Sequence, residues 1–296
     1  MAIINFGSIN IDHVYQVDHF VQPGETIASS DYMRLLGGKG ANQSIALAKA
    51  GTDVRHVGKI NESDAPFKQA MIKHGIDCKY VSCSDTPSGH AIIQVTPSGE
   101  NAIVLFGGAN QELTNKDIMH ALGNAKPSDW VLTQNETSSI ELVLTEAKEL
   151  GLKVAFNPAP MTELVKKLPH DCINLLIVNE VEAEEISGIQ DLDLMEAYFR
   201  SEWPDTEVLI TLGKAGVRML KKERTINVPA FVVEAVDTTA AGDTFIGFFL
   251  SAYSNHQDSE TALTRACAAS ALAVMQIGAA QSIPTKDQVN RFLAKR

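Results

Sequence analysis

In the run Asp237-Thr238-Thr239-Ala240-Ala241-Gly242-Asp243-Thr244-Phe245, small residues lead into a carboxylate just where an apolar helix, 245–253, begins. Amide N–H groups at a helix start carry partial positive charge and point outward, so Ala240, Ala241 and Gly242 can hold a phosphate beside Asp243. A carboxylate placed there can take the proton of an attacking hydroxyl. On this segment alone a plainer reading stays open, in which Thr238 or Thr239 simply caps a helix.

Other segments carry complementary chemistry. Gly37-Gly38-Lys39-Gly40-Ala41-Asn42 precedes an amphipathic helix at 44–50; paired glycines let a ligand approach the backbone, and Asn42 offers both donor and acceptor to a hydroxyl. The alternative is a glycine-rich turn. Asn10 and Asp12 stand two apart, so an extended segment turns both to one side, suiting neighbouring sugar hydroxyls; such a pair also forms turns. Glu136, Asn179 and Glu182 follow apolar runs, at the carboxyl ends of strands where open parallel sheets bind ligands. For Glu182, a first-turn helix charge is the competing account. Thr211-Leu212-Gly213-Lys214-Ala215-Gly216 has the small-residue character of a nucleotide-contacting turn or, equally, of a hairpin turn.

These residues need a scaffold. The apolar run 2–7 reads as a first buried strand. Segments 13–20 and 88–106 cluster β-formers between turn signals, predicting a small, mainly antiparallel sheet with strands at approximately 13–35 and 88–107. From 110 onward, strand candidates at 130–133, 154–156, 175–178 and 208–212 alternate with helical stretches such as 139–150, which implies parallel βαβ units. The last 55 residues read as helices broken at Gly278 and Pro284. With no repeat or linker, the expectation is one continuous α/β domain over 1–296, the small sheet acting as its lid.

At 296 residues and 45% hydrophobic content the chain can bury a substantial core. Its net charge of −11 and pI near 5.2 argue against a broad nucleic-acid surface. Cys78, Cys83, Cys172 and Cys267 show no zinc-like spacing and read as reduced thiols. No basic n-region opens the chain and no uninterrupted apolar stretch reaches the roughly 18 residues of a membrane span, so a cytoplasmic protein without a membrane partner is expected. The Walker, Rossmann, protein-kinase and H-E-x-x-H motifs are all absent, so any phosphate chemistry here uses a different scaffold.

The segments 37–50 and 237–245 resemble the two signature regions of the ribokinase-like family, the PfkB carbohydrate and nucleoside kinases. With Asn10/Asp12, Asn157-Pro158-Ala159-Pro160, Asn179-x-x-Glu182 and Thr211-Leu212-Gly213, the resemblance spans nearly the whole chain. It implies a three-layer α/β/α domain with a mostly parallel central sheet and a β-sheet lid. The implied reaction is ATP-dependent phosphorylation of a sugar's primary hydroxyl, the 5-hydroxyl of D-ribose first. 2-Deoxyribose, another pentose or hexose, a nucleoside, or a non-catalytic sugar-binding regulator are the alternatives.

By the same resemblance Asp243 is the base and the amides of residues 240–243 form the anion hole. Asn10, Asp12, Gly38, Lys39, Asn42 and Glu136 belong to the sugar side, with the role of Lys39 open between binding and shaping the glycine turn. Asn179, Thr211, Gly213, Gly216 and Gly242 belong to the nucleotide side, and Glu182 to Mg²⁺ through water. A monovalent cation, usually potassium, is implied beside the anion hole, with Asp237 and Ser282 as side-chain ligands and carbonyls near Thr239, Ala273, Gln276 and Gly278. A homodimer through the lid sheets is the implied assembly.

Overall fold

The computed structural model describes residues 1–295. Strand β1 (Ala2–Phe6) is buried along its whole length, so both of its faces are covered; all its residues but Asn5 are apolar. β2 (Asn10–Gln16) and β3 (Asp31–Gly37) pair antiparallel before α1 (Lys39–Ala50). β4 (Asp53–Asn61), α2 (Ala65–Lys73) and β5 (Asp77–Ser84) follow, then a second antiparallel pair, β6 (Gly89–Val95) and β7 (Asn101–Phe106). Alternation then becomes regular: α3 (Asn115–Leu122), β8 (Trp130–Gln134), α4 (Ile140–Glu149), β9 (Lys153–Asn157), β10 (Leu175–Asn179). The chain continues through α5 (Glu180–Ser187), α6 (Leu192–Glu202), β11 (Glu207–Thr211), β12 (Val217–Lys221) and β13 (Arg224–Val228). It closes with α7 (Ala241–Ser254), α8 (Ser259–Val274) and α9 (Lys286–Leu293).

The large sheet has nine strands in the order β13-β12-β11-β10-β9-β8-β1-β4-β5, parallel from β11 to β5. Alternation along each strand feeds two cores: Ile3 and Leu132 pack under α1, α7 and α8, whereas Ile4 and Val131 pack under α3 and α4. Both faces are therefore covered, giving the expected α/β/α layering. The four-stranded sheet, β3-β2-β6-β7, joins its two antiparallel pairs through a parallel β2–β6 contact.

Several boundaries move. The strand predicted from 13 begins at Asn10, and the stretch 88–106 divides into two strands around the turn 96–100. The last-third helix starts at Ala241, four residues before 245, because small residues under the cradle are already helical. Strands β4, β5, β12 and β13 were not foreseen. Gly213–Ala215 turns β11 into antiparallel β12, so the 211–216 segment is a hairpin connection. None of the helices among the described residues is long and apolar enough to cross a membrane.

Candidate active site

The site lies at the carboxyl ends of the parallel strands. Helix α7 opens on Ala240, whose φ of 57° puts a non-glycine residue in the left-handed region. Such strain clusters at ligand sites, and a left-handed residue before a helix turns successive amides toward one point. The Ala241 N–H donates to Thr238 O at 3.2 Å. Among the described residues the amides of Gly242 and Asp243 meet no acceptor, and a Cβ added at Gly242 would find open space within 4 Å.

Asp243 is buried, and both its oxygens are held from α1: Asn42 Nδ2 donates to Oδ2 at 3.1 Å and Gln43 Nε2 to Oδ1 at 2.9 Å. Helix α1 starts after Gly38, at φ 89°, and runs close to β1 because Gly40 lacks a side chain; a Cβ there would lie 2.3 Å from Ser8 N. Asn42 Oδ1 is buried and accepts no hydrogen bond among the described residues.

A second group gathers around Glu136, just beyond β8. Its carboxylate accepts from Ser8 Oγ and from the Lys39 amide, the latter at 3.1 Å. Burial raises its pKa, against the pull of Ser8 and Lys39. Asp12 is pushed up to about 6, first by burial and then by the neighbouring Glu136 charge, and it accepts no side-chain bond among the described residues. Room for it exists only because residue 37 is glycine: a Cβ there would be 2.0 Å from Asp12 Oδ2. Asn10, on the same face of β2, accepts from Asn110 Nδ2 at 2.7 Å. Burial lowers the Lys39 ammonium, but the charges of Asp243, Glu136 and Glu182 outweigh it and leave its pKa raised, so Lys39 stays a cation among three carboxylates.

Asn179 and Glu182 cap α5 reciprocally, the Glu182 amide donating to Asn179 Oδ1 at 2.8 Å and the Asn179 amide to Glu182 Oε2 at 3.0 Å. Glu182 is therefore a first-turn helix carboxylate, and it and Asn179 also line a cavity of about 230 Å³ with Lys39, Thr211, Gly242 and Asp243. A second cavity, about 490 Å³ and walled by Phe231, Val233, Phe245 and Val274, shares Thr211, Thr238, Ala241 and Gly242 with the first and includes Gly213 and Gly216. A polar compartment therefore opens onto an apolar one across the start of α7.

Asp237 lies outside both cavities. Its Oδ1 accepts from the Thr239 amide at 2.8 Å and its Oδ2 from the Gly278 amide at 2.9 Å, tying the loop before α7 to the loop after α8. Ser282 Oγ donates to Ala279 O at 2.8 Å, and the Gln276 amide to Ala273 O at 3.0 Å, so the residues named for a cation lie in the two loops that Asp237 joins and in the last turn of α8. Among the described residues no three His, Cys, Asp or Glu side chains cluster as a metal site.

Sequence reasoning missed Ser8, Gln43, Asn110 and Gln134. Gln43 carried a usable signal, a polar residue on the buried side of a helix that must find partners.

A polar, amide-lined pocket beside an apolar cleft, at the strand ends of an α/β/α sandwich, defines a kinase of small hydroxylated substrates. The chain matches the pfkB family carbohydrate kinases over residues 2–286, and it belongs to that family. A Haemophilus influenzae ribokinase is 38% identical over 97% of this chain and 96% of its own length. A Salmonella typhi deoxyribokinase is 31% identical, covering 99% of both. The structure of Arabidopsis thaliana ribokinase complexed with ribose and ATP superposes with a TM-score of 0.89 at 30% identity, covering 99% of each chain.

Proposed function

We propose that the chain transfers the γ-phosphoryl group of ATP to the primary 5-hydroxyl of D-ribose, giving ribose 5-phosphate. The observation that carries this reading is Asp243, clamped by Asn42 and Gln43 beside two unpaired helix-start amides at the edge of a phosphate-sized cavity. Asp243 takes the hydroxyl proton. The amides of Gly242 and Asp243, flanked by those of Ala240 and Ala241, receive the charge that develops on the moving phosphoryl group. Lys39 adds a fixed positive charge on the same side.

Asn10, Asp12, Gly38, Asn42 and Glu136 bind the sugar hydroxyls, Asp12 and Asn42 Oδ1 being acceptors without donors of their own. Asn179, Thr211, Gly213 and Gly216 take the nucleotide, its base in the apolar cleft. Mg²⁺ on the triphosphate supplies charge neutralisation, with Glu182 holding it through water. A potassium ion orders the loop before α7, with Asp237 and Ser282 as side-chain ligands and the carbonyls of Thr239, Ala273, Gln276 and Gly278 as the rest.

The small sheet serves as a lid on a single kinase domain spanning 1–296. Its Ile103 and Leu105, on one face of β7, are 55% and 51% exposed, an apolar face that a second copy covers in a cytoplasmic homodimer.

A coupled assay of ADP release with Mg²⁺-ATP, run against pentoses, hexoses and nucleosides with and without KCl, tests the reading. Ribose should give the highest kcat/KM. A preference for 2-deoxyribose, the activity named for the Salmonella typhi relative, would shift the assignment within the family. Absence of any sugar-dependent ADP release would instead mark a non-catalytic binding protein.

A further inference from the structure

Behind Asp243 a continuous chain of five side chains runs through the core: Gln43, Gln134, Asn5, Ser44 and His56, each fully buried. Its direction is dictated at the far end by backbone carbonyls, which can only accept. The Asn5 amide donates to Gly40 O at 2.9 Å and to Ser44 Oγ at 2.8 Å. Ser44 must therefore give its own proton to His56 Nδ1, 2.8 Å away, and His56 turns its Nε2–H to Gly7 O at 3.0 Å. Burial keeps this imidazole neutral, its pKa lowered to about 4.

With both Asn5 protons used, its Oδ1 accepts from Gln134 Nε2 at 2.9 Å, and the other proton of that amide goes to Gln43 Oε1 at 2.8 Å. Gln43 then has one orientation left, with its N–H₂ toward Asp243 Oδ1. Turning any one amide over would set donor against donor or acceptor against acceptor in a dry interior, where an unmatched polar group is expensive. The base is thus gripped by a donor whose polarity is fixed by residues that touch no ligand.

We propose that Gln43, oriented by Gln134, Asn5, Ser44 and His56, is a positioning residue that fixes the rotation of the Asp243 carboxylate. With Asn42 on Oδ2 and Gln43 on Oδ1, the carboxylate cannot swing about its χ2, and its remaining lone pairs stay aimed at the hydroxyl to be deprotonated. The inference rests on Asp243 being the base of the proposed reaction.

The test compares Gln43→Met and Gln134→Met, which keep volume but remove the amide, singly and together. In Gln43→Met, kcat should fall ~10–100-fold while KM for sugar and ATP stays within about threefold, the signature of a misplaced base rather than of lost binding. Gln134→Met should show a smaller kcat loss of the same kind, and the double variant should be no worse than Gln43→Met alone, because both act through one chain. A kcat within about twofold of wild type in folded Gln43→Met, a loss confined to KM, or multiplicative effects in the double variant would overturn the proposal. If Gln43→Met does not fold, Gln134→Met decides by the same split between kcat and KM. If the wild-type protein itself phosphorylates no sugar, the reading of function has failed, and a crystal structure of Gln43→Met judges the positioning separately: a rotated Asp243 carboxylate supports it and an unmoved one refutes it.

Discussion

Gly247 of α7 lies so close to Ala46 of α1 that a Cβ on the glycine would sit 2.3 Å from the Ala46 Cβ. One turn earlier on each helix stand Asp243 and the Asn42–Gln43 pair that grips it. The close crossing is what brings residues 200 positions apart within hydrogen-bonding distance. Gly247→Ala is expected to force the helices apart, at a cost of about 1–3 kcal/mol for overpacking a dense core. A thermal melt should show the lowered Tm, and kcat should fall more than KM rises. Unchanged melting and turnover would mean that the crossing is looser than the contact implies.

Asp243→Asn tests the base while keeping its shape, although the new N–H₂ must meet one of the two donors, Asn42 Nδ2 or Gln43 Nε2, that hold the carboxylate. The isosteric amide still packs between α1 and α7 but takes no proton, so kcat should drop ~10²–10⁴-fold, the usual worth of a positioned base. Sugar affinity, measured by calorimetry with the non-hydrolysable nucleotide present, should change little. Near-normal turnover in this variant would remove the base assignment.

How far the sequence reached depends on whether a residue's role is local. The helix start near Asp243, the glycine pair before α1 and the first-turn position of Glu182 were legible because each is contained in a few consecutive residues. The parallel strands after residue 110 were legible because buried strands flanked by helices make continuous apolar runs. β4 was not, since its sequence alternates Arg55, His56 and Lys59 with apolar residues and His56 finds its partners only in the fold. Gln43 and Gln134 escaped for the same reason, as their chemistry exists only once β1, β8 and α1 meet. Thr211–Gly216 shows the opposite case, where the hairpin-turn reading is realised by a connection that also lines the apolar cavity.

Asp237 joins the Thr239 and Gly278 amides, and these bonds outweigh burial to hold its pKa below the usual carboxylate range. Asp237→Ala should free the loop before α7 and, if the proposed cation binds there, remove its carboxylate ligand as well. Titrating KCl into the assay should activate the wild-type enzyme and leave the variant flat, with ATP the substrate whose KM rises most. Equal activation of both proteins would place any cation site elsewhere.

Asp12 links pH to sugar binding with a definite sign. Its pKa stands at about 6 in the folded protein against 3.8 for an unperturbed Asp, burial being the larger cause and Glu136 the second. Near pH 7.5 it is an ionised acceptor without a donor, which the proposed sugar site would fill with hydroxyls; below about 6 it is protonated and that acceptance would weaken. KM for the sugar should therefore rise as pH falls through 6, a limb absent in Asp12→Asn. The variant itself should bind sugar more weakly at pH 7.5 by ~10–100-fold, as expected for hydrogen bonds to a charged group. Stability runs the other way. A carboxyl with a raised folded pKa stabilises the fold below its unfolded pKa and loses that contribution as pH rises through the folded value, so ionised Asp12 opposes folding at pH 7.5. Asp12→Asn should then melt higher than wild type at pH 7.5 without sugar, the advantage shrinking toward pH 4. A variant that melts lower at pH 7.5, or a KM independent of pH in the wild type, would contradict the placement of this carboxylate in a desolvated sugar site.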